Sequence, residues 1–190
     1  MDKALILHGR GGNAKGNWFP RLKIELTKRL FDVYVPNLPN TDNPVLKDQL
    51  EYLDAYISDF KEDGFIVGHS LGCKLALKFV EENDIKDSIV VLVAPVYLGL
   101  TNELGKDIFG ESYDNLEAYF NIDLDFFKLN NLNNKYIVFL SDDDELINFE
   151  NAKQYYSELK DVEFRGFKRK GHFCDEDGVF ELEEVLEYIK

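Results

Sequence analysis

The pentapeptide Gly68-His69-Ser70-Leu71-Gly72 is the strongest local indication of chemistry in the sequence. It lies between a predicted buried strand over Phe65–Val67 and a predicted helix that begins at about Leu71, which is the context that a G-x-S-x-G nucleophile elbow needs. In such an elbow the serine is strained and its hydroxyl is exposed at a helix N-terminus, where the helix dipole favours a developing negative charge. Ser70 is therefore the candidate nucleophile; the alternative is an ordinary turn serine.

A serine hydroxyl needs a base, and the sequence contains three histidines. His69 lies inside the elbow, where local geometry points it away from the nucleophile, so we interpret it as structural. His8 ends the first predicted strand. His172 follows Gly171, after the last predicted strand and before the last predicted helix, and this position favours it as the base. The alternative for His172 is a solvated loop residue.

A third group should orient the imidazole, and an acidic run follows the fifth predicted strand. The run is Asp142-Asp143-Asp144-Glu145, and the chain order serine, acid, histidine is the order expected of α/β-hydrolases. The residues alone do not decide between the three aspartates. A solvated acidic loop and a cation site are the alternatives; the cation site is disfavoured because no histidine or second carboxylate cluster is near in sequence.

The loop His8-Gly9-Arg10-Gly11-Gly12 is a candidate for the oxyanion hole. One backbone donor would be the N–H of Leu71, immediately after the nucleophile, and the other would be the N–H of Arg10 or Gly11. The spacing of Gly9, Gly11 and Ala14 also fits a loose dinucleotide fingerprint. That interpretation requires an acid at the end of the second strand, and residues 33–37 contain none, so we expect no cofactor.

The elements that must position these residues alternate between strand and helix. Short apolar runs predict six strands, and apolar residues at helical spacing lie between them, which is typical of an α/β unit with a largely parallel sheet. The predicted strands are Lys3–His8, Asp32–Pro36, Phe65–His69, Ser88–Ala94, Tyr136–Ser141 and Val162–Phe167. The long connection at 97–134 is expected to build a ligand cap, and an amphipathic helix is predicted over 179–189.

Length and composition restrict the function classes. The chain has 190 residues, which predicts a single domain over 1–190, with 45% hydrophobic side chains that can fill a core. The 36 acidic and 22 basic side chains give a net charge of −14. Such a field disfavours nucleic acid and anionic membranes as partners, and no protein partner is indicated. The apolar run Ala4–Leu7 is too short for a secretory signal, so we expect a cytoplasmic protein.

Two minor features of the sequence also bear on the site. Cys73 and Cys174 form no metal-ligand or disulfide pattern, so we predict no metal site. Each cysteine is near a candidate catalytic residue in sequence, and our hypothesis is that oxidation could affect activity. A basic cluster precedes His172, and it is either a rim that steers anionic substrates or, as we favour, a solvated edge. The cluster comprises Arg165, Lys168, Arg169 and Lys170.

These motifs together resemble the small serine hydrolases grouped with retinoblastoma-binding protein 9. The resemblance spans nearly the whole chain and includes the order and spacing of the motifs. It rests on the His8-Gly9 loop with Trp18, the elbow at 68–72, the turn at 141–144 and the ending Gly171-His172-Phe173.

The resemblance implies roles for individual residues. In that family the acid lies three residues after the strand-end serine, which corresponds to Asp144, and the same matching gives Ser70 as nucleophile and His172 as base. One departure is visible: the usual proline after the acid turn is Asn148 here. This departure weakens the choice of Asp144 over Asp143.

The resemblance also implies a fold and an activity. The expected fold is a three-layer α/β-hydrolase-like sandwich with a mainly parallel sheet of about six strands, in the order 2-1-3-4-5-6, without a large lid. The expected activity is that of a carboxylesterase acting on small esters through an acyl-enzyme, without a cofactor. Thioester or amide hydrolysis, and a non-catalytic interaction protein that keeps the fold, are the alternatives.

Overall fold

The computed structural model describes residues 2–97 and 113–189. Its centre is one six-stranded sheet in the order β2-β1-β3-β4-β5-β6, with every neighbouring pair parallel. The predicted fold class and strand order are therefore confirmed. The strands are β1 (Lys3–Leu7), β2 (Asp32–Tyr34), β3 (Phe65–His69), β4 (Ile89–Val93), β5 (Lys135–Ser141) and β6 (Val162–Phe167).

Helices connect these strands. The central strands β3, β4 and β5 are buried at nearly every position, which requires cover on both faces of the sheet, whereas the edge strands β2 and β6 are only partly buried. The helices are α1 (Phe19–Lys28), α2 (Leu46–Leu53), α3 (Leu71–Glu82), α4 (Tyr113–Phe120), α5 (Phe126–Asn130) and α6 (Phe149–Tyr156). Two 3₁₀ segments, Asp54–Asp59 and Glu183–Tyr188, complete the elements of the described ranges.

Helix α3 lies in the middle of the molecule and packs directly on the sheet. Ten of its residues are buried, and Gly72 permits the close approach, because a Cβ at this position would overlap the carbonyl oxygens of Leu7 and His8. The start of α3 is therefore fixed against the end of β1, and this contact determines where the elbow lies.

The last predicted helix is wrong in type. The segment forms a 3₁₀ helix over Glu183–Tyr188 rather than an α-helix over 179–189. Val179, Leu182 and Val185 are its buried side chains, and their spacing of three residues suits a 3₁₀ turn, in which side chains at i and i+3 are aligned. Phe180 is 64% exposed, so this segment buries a narrower face than an amphipathic α-helix.

The expected ligand cap at 97–134 is described only in part. Residues 98–112 lie outside the described residues, and the remainder forms α4, α5 and the turns around them. Within the described ranges, no helix has the length and apolar character needed to cross a membrane.

Candidate active site

The carboxyl ends of four strands meet at the candidate site. β1 leads into the glycine-rich loop, β3 into Ser70, β5 into the acidic turn, and β6 into the loop that carries His172. In an open parallel sheet this edge is where side chains from distant parts of the chain come together. Ser70 and His172, which are 102 positions apart, are thereby brought into contact.

Ser70 lies in a sharp turn between β3 and α3. Its backbone has φ 53° and ψ −120°, a left-handed region that costs an L-residue about 1–3 kcal/mol. The N–H of Ser70 donates to the carbonyl oxygen of Val93 at 2.9 Å, which ties the turn to β4. A Cβ on Gly68 would lie 2.7 Å from the Cα of Cys73, so this flank of the turn has room only for glycine. The strand-to-helix turn predicted from the pentapeptide is present.

A chain of hydrogen bonds joins Ser70, His172 and Asp144. The Oγ of Ser70 is 2.8 Å from Nε2 of His172, and Nδ1 of His172 is 2.9 Å from Oδ2 of Asp144. Because the carboxylate only accepts, Nδ1 carries the proton and Nε2 is free to accept from the Ser70 hydroxyl. The Asp144 side chain is 2% exposed, and its other oxygen accepts the N–H groups of Leu146 and Ile147, both at 2.9 Å. The carboxylate is thus held in one orientation.

The three consecutive aspartates have three different partners. The Oδ1 of Asp142 accepts the N–H of Arg169 at 3.2 Å, and Oδ1 of Asp143 accepts the N–H of Gly171 at 2.9 Å. Asp144 is the member of the run that reaches the imidazole. The geometry therefore separates residues that the sequence alone leaves equivalent: two bind the main chain of the loop that carries His172, and the third contacts the His172 imidazole.

A further carboxylate, that of Asp177, binds two backbone N–H groups of the loop that carries His172. The Oδ2 of Asp177 accepts the N–H of His172 at 2.7 Å and that of Cys174 at 3.2 Å. Gly171 and Phe173 have φ values of +50° and 58°, and a Cβ on Gly171 would overlap the Asp177 carboxylate. The loop therefore needs glycine at 171, and its shape depends on the acid at 177, which the sequence analysis did not single out.

The glycine-rich loop packs directly against the elbow. A Cβ on Gly9 would lie 2.9 Å from the Cβ of Ser70 and 3.4 Å from the backbone nitrogen of Leu71. A side chain at position 9 would therefore occupy the space beside the nucleophile. This approach explains why the loop needs glycine directly after His8.

The two alternatives for the second oxyanion donor differ in their partners. The N–H of Gly11 already donates to the carbonyl oxygen of Thr41 at 2.7 Å, which turns it away from the role suggested for it. The Arg10 side chain donates from Nε to the carbonyl oxygen of Asp42 at 3.0 Å, which fixes the loop at this residue. The backbone N–H of Arg10 is the other donor that the sequence predicts, alongside that of Leu71.

The other two histidines are buried and form hydrogen bonds with the backbone. The Nε2 of His8 accepts the N–H of Leu38 at 3.1 Å, and burial lowers the pKa of His8. The Nε2 of His69 is 2.8 Å from the carbonyl oxygen of His172. The interpretation of His69 as structural did not include this contact, because the two residues are 103 positions apart in the chain.

A cleft of about 290 Å³ opens at Ser70 and His172. Residues of the glycine-rich loop form one wall, and His172 with residues 174–176 forms another. The charged side chains along the described lining are Arg10, Asp175 and Glu176. The wall next to His172 is therefore acidic, in contrast to the basic approach that one interpretation of the sequence suggested.

The basic cluster before His172 lies away from this cleft. Arg165 forms a two-pronged ion pair with Glu187, with nitrogen–oxygen distances of 2.6 and 3.0 Å. The cleft lining includes none of the four residues Arg165, Lys168, Arg169 and Lys170. The arrangement favours the solvated-edge interpretation of this cluster.

The two cysteines and the potential metal ligands are arranged as follows. Both thiols are free: Cys73 is buried, and Cys174 lines the cleft with its Sγ 3.5 Å from the carbonyl oxygen of His172. Burial and nearby acids raise the pKa of Cys174 to about 12, which disfavours a reactive thiolate. Across residues 2–97 and 113–189, no group of three or more histidine, cysteine or acidic side chains is placed to hold a metal ion.

Known proteins are similar to this chain in sequence and in architecture. The protein YdeN of Bacillus subtilis strain 168 is 26% identical over 186 residues, which are 97% of this chain and 92% of YdeN. Its solved structure superposes with a TM-score of 0.83 at 24% identity, covering 98% of this chain and 96% of that one.

More distant solved structures share the fold. Est1E of Butyrivibrio proteoclasticus, solved with ferulic acid bound, has a TM-score of 0.71 at 14% identity, with 98% of this chain and 89% of that chain covered. A monoacylglycerol lipase of Paleococcus ferrophilus has a TM-score of 0.64 at 17% identity, with 87% and 84% covered. At this level of identity the likeness concerns architecture alone. The family model described as serine hydrolase matches residues 4–190, and the chain belongs to the serine hydrolase family.

Proposed function

We propose that this serine hydrolase is a carboxylesterase that acts on small acyl esters, with Ser70 as nucleophile, His172 as general base and acid, and Asp144 as the orienting acid. The observation that carries the proposal is the continuous hydrogen-bonded chain from the strained Ser70 hydroxyl through the imidazole to a buried carboxylate. A surface histidine or a turn serine would not need this arrangement.

The geometry supports the following reaction. Nε2 of His172 takes the hydroxyl proton as Oγ of Ser70 attacks the ester carbonyl carbon, and the Asp144 carboxylate stabilises the imidazolium that forms. The tetrahedral intermediate collapses when the imidazolium returns its proton to the leaving alcohol, which leaves an acyl-Ser70 ester. Water, deprotonated by the same imidazole, then attacks the acyl carbon and releases the carboxylic acid with Ser70 regenerated.

The developing oxyanion would be stabilised by two backbone donors. The N–H of Leu71 lies at the N-terminus of α3, where the helix dipole adds to its effect. The N–H of Arg10 is the proposed second donor, because the loop that carries it packs directly against Ser70 through Gly9. These donors belong to the backbone, so the proposal needs no metal and no cofactor.

The cleft and the charge of the chain point to small, non-nucleic-acid substrates. A volume of about 290 Å³ lies at the lower end of the range for ligand pockets, roughly 300–1,000 Å³. The net charge of −14 opposes binding to phosphate backbones and anionic lipid surfaces. The resemblance to the hydrolases grouped with retinoblastoma-binding protein 9 implies carboxylesterase-type activity and so supports an ester as the substrate, with a thioester or an amide as the alternatives.

A fluorophosphonate probe and a p-nitrophenyl acetate assay test the proposal together. The wild type is expected to be labelled and to hydrolyse the ester, while Ser70→Ala loses both. The matched control is Ser58→Ala, in the exposed 3₁₀ segment Asp54–Asp59, which should retain both. A folded wild type that is neither labelled nor active would refute the enzyme and favour the non-catalytic interaction protein. Equal or higher kcat/KM on a matched thioester or anilide would replace the ester specificity by one of those classes.

A further inference from the structure

His69 is the second imidazole at the site, and the reaction proposed above does not use it. It ends β3, one residue before Ser70, and is 4% exposed. Its ring lies 5.2 Å from the ring of His172 between centroids, tilted by 53°, and it also meets the rings of Trp18 and Phe19 edge-on. A polar ring enclosed in this way needs a hydrogen-bond acceptor for its N–H group, and His172 supplies that acceptor.

The contact runs from a side chain to the main chain. Nε2 of His69 lies 2.8 Å from the carbonyl oxygen of His172. Because a carbonyl oxygen only accepts, Nε2 carries the proton and donates, which fixes the neutral tautomer of the ring. Burial, with His172 next to it, lowers the pKa of His69 to about 3, so this donor persists unchanged at any pH suited to an esterase assay.

This hydrogen bond completes the restraint of the His172 backbone. The N–H of His172 is held by the Asp177 carboxylate at 2.7 Å, and its carbonyl is held by His69. The next carbonyl, that of Phe173, accepts from the indole N–H of Trp18 at 3.1 Å. Of these three restraints, the one from His69 comes from the residue next to Ser70 in the chain. It therefore connects the backbone of His172 to the backbone of Ser70 through one hydrogen bond.

We propose that His69 is a positioning residue, whose hydrogen bond to the carbonyl of His172 sets the distance between the base and Ser70. The inference rests on the proposed function. If the donor is lost, the carbonyl of His172 keeps only the weaker contact from the Cys174 thiol, at 3.5 Å, and the 169–173 loop can relax away from the elbow. A misplacement of the base by about 1 Å can cost about 10²-fold in rate, whereas substrate binding in the cleft would be little changed. The effect should therefore fall on kcat and not on KM.

Three substitutions of His69 separate this role from simple packing. His69→Leu removes the donor, and we expect kcat to fall by about 30- to 100-fold with KM within about threefold. Glutamine carries an N–H donor the same number of bonds from Cβ as Nε2 of histidine, so His69→Gln should regain most of kcat. His69→Asn carries its donor one bond too short and should behave like the leucine variant. Ser88→Ala is the control for a loss of stability without a change at the site. The buried Oγ of Ser88 accepts the N–H of Gly64 far from the cleft, so its removal should destabilise the fold and leave kcat unchanged.

A spectroscopic readout keeps the proposal testable whatever the substrate. The Nδ1 proton of His172, shared with Asp144, should give a low-field proton NMR resonance in the wild type and in His69→Gln, and a shifted or broadened one in His69→Leu. The proposal is overturned if His69→Leu keeps kcat and this resonance, or if the glutamine variant, equally folded, fails to recover both. If the wild type shows no esterase activity but the resonance follows this pattern, the positioning role stands and the proposed function alone fails.

Discussion

Replacing Asp144 by asparagine is the most direct test of how the site orients its base. In the wild type, one oxygen of Asp144 accepts from Nδ1 of His172, and the other accepts two backbone N–H groups at 2.9 Å. An asparagine can keep only one oxygen as acceptor. The two N–H groups, from Leu146 and Ile147, would hold that oxygen, so the amide NH₂ would face Nδ1 of His172.

This arrangement predicts a large loss of rate with little loss of fold. An NH₂ group facing Nδ1 favours the tautomer with its proton on Nε2, and that nitrogen can no longer accept from the Ser70 hydroxyl. The cost expected for such a misassigned tautomer is about 10⁴-fold in kcat. This factor corresponds to about 5.5 kcal/mol of transition-state free energy.

Asp143→Asn is the matched control, because it removes the same charge one residue away. A hydrogen bond from the Ser141 hydroxyl, together with one from the N–H of Gly171, lowers the pKa of Asp143, and both bonds end on Oδ1, which an asparagine can supply. We expect kcat to fall by less than about tenfold in this variant.

The assay is kcat and KM on p-nitrophenyl acetate over substrate concentrations that reach saturation, with melting temperatures to confirm that both variants fold. A larger loss in Asp143→Asn than in Asp144→Asn would refute the assignment of the acid. A loss of less than about 100-fold in Asp144→Asn would refute the tautomer argument itself, since a correctly oriented imidazole would then not depend on this carboxylate.

Three further predictions concern other parts of the chain. Gly72→Ala should prevent stable folding, because its Cβ would overlap the carbonyl oxygen of Leu7. The control is Gly16→Ala, whose Cβ would have no atom nearer than 3.7 Å and should leave the midpoint of urea unfolding almost unchanged. Equal urea midpoints for the two variants would contradict the packing of α3. Burial lowers the pKa of Lys74 from 10.5 to about 8, so the unfolded chain binds more protons between these values. The free energy of unfolding of the wild type relative to Lys74→Met should therefore rise by about 2 kcal/mol from about pH 7 to about pH 9.5, and a flat difference would contradict this shift. Arg165→Gln should cost less than about 1 kcal/mol and leave kcat/KM unchanged; a drop in kcat/KM would restore the basic cluster as a substrate rim.

The sheet was predictable because its strands are short apolar runs with clear ends. The predicted strands at Phe65–His69 and Val162–Phe167 match the structure at both ends, and the others differ by one or two residues. Burial on both faces makes the central strands β3, β4 and β5 almost continuously apolar, whereas the edge strand β6 alternates apolar and charged residues. Both patterns are carried by each segment alone. The elbow was predictable for the same reason, since the tight turn requires glycine on both sides of Ser70 within five residues.

The loop around His172 could not be predicted, because its shape depends on contacts between distant segments. Its backbone is held by Asp177, His69 and Trp18, and it includes a phenylalanine, Phe173, with a positive φ. Positive φ at a phenylalanine is disfavoured locally and is maintained by the surrounding structure. Such a loop has no periodicity, so the sequence indicates only that a histidine lies after the last strand.

The acidic turn shows why its three aspartates are not interchangeable. Asp142, Asp143 and Asp144 bind partners at 169, 171 and 172, so the acidic turn and the loop that carries His172 run alongside each other and are joined at three points. A slip of one residue would place a different carboxylate on the imidazole and leave a backbone N–H unpaired. The end of the turn is fixed as well: Asn148, at the position where the resemblance predicts a proline, accepts the N–H of Asn151 at 3.0 Å and caps α6. An N-cap stabilises a helix start by about 1 kcal/mol, so the departure at Asn148 replaces the stiffness of proline by a hydrogen bond and gives no reason to prefer Asp143 as the acid.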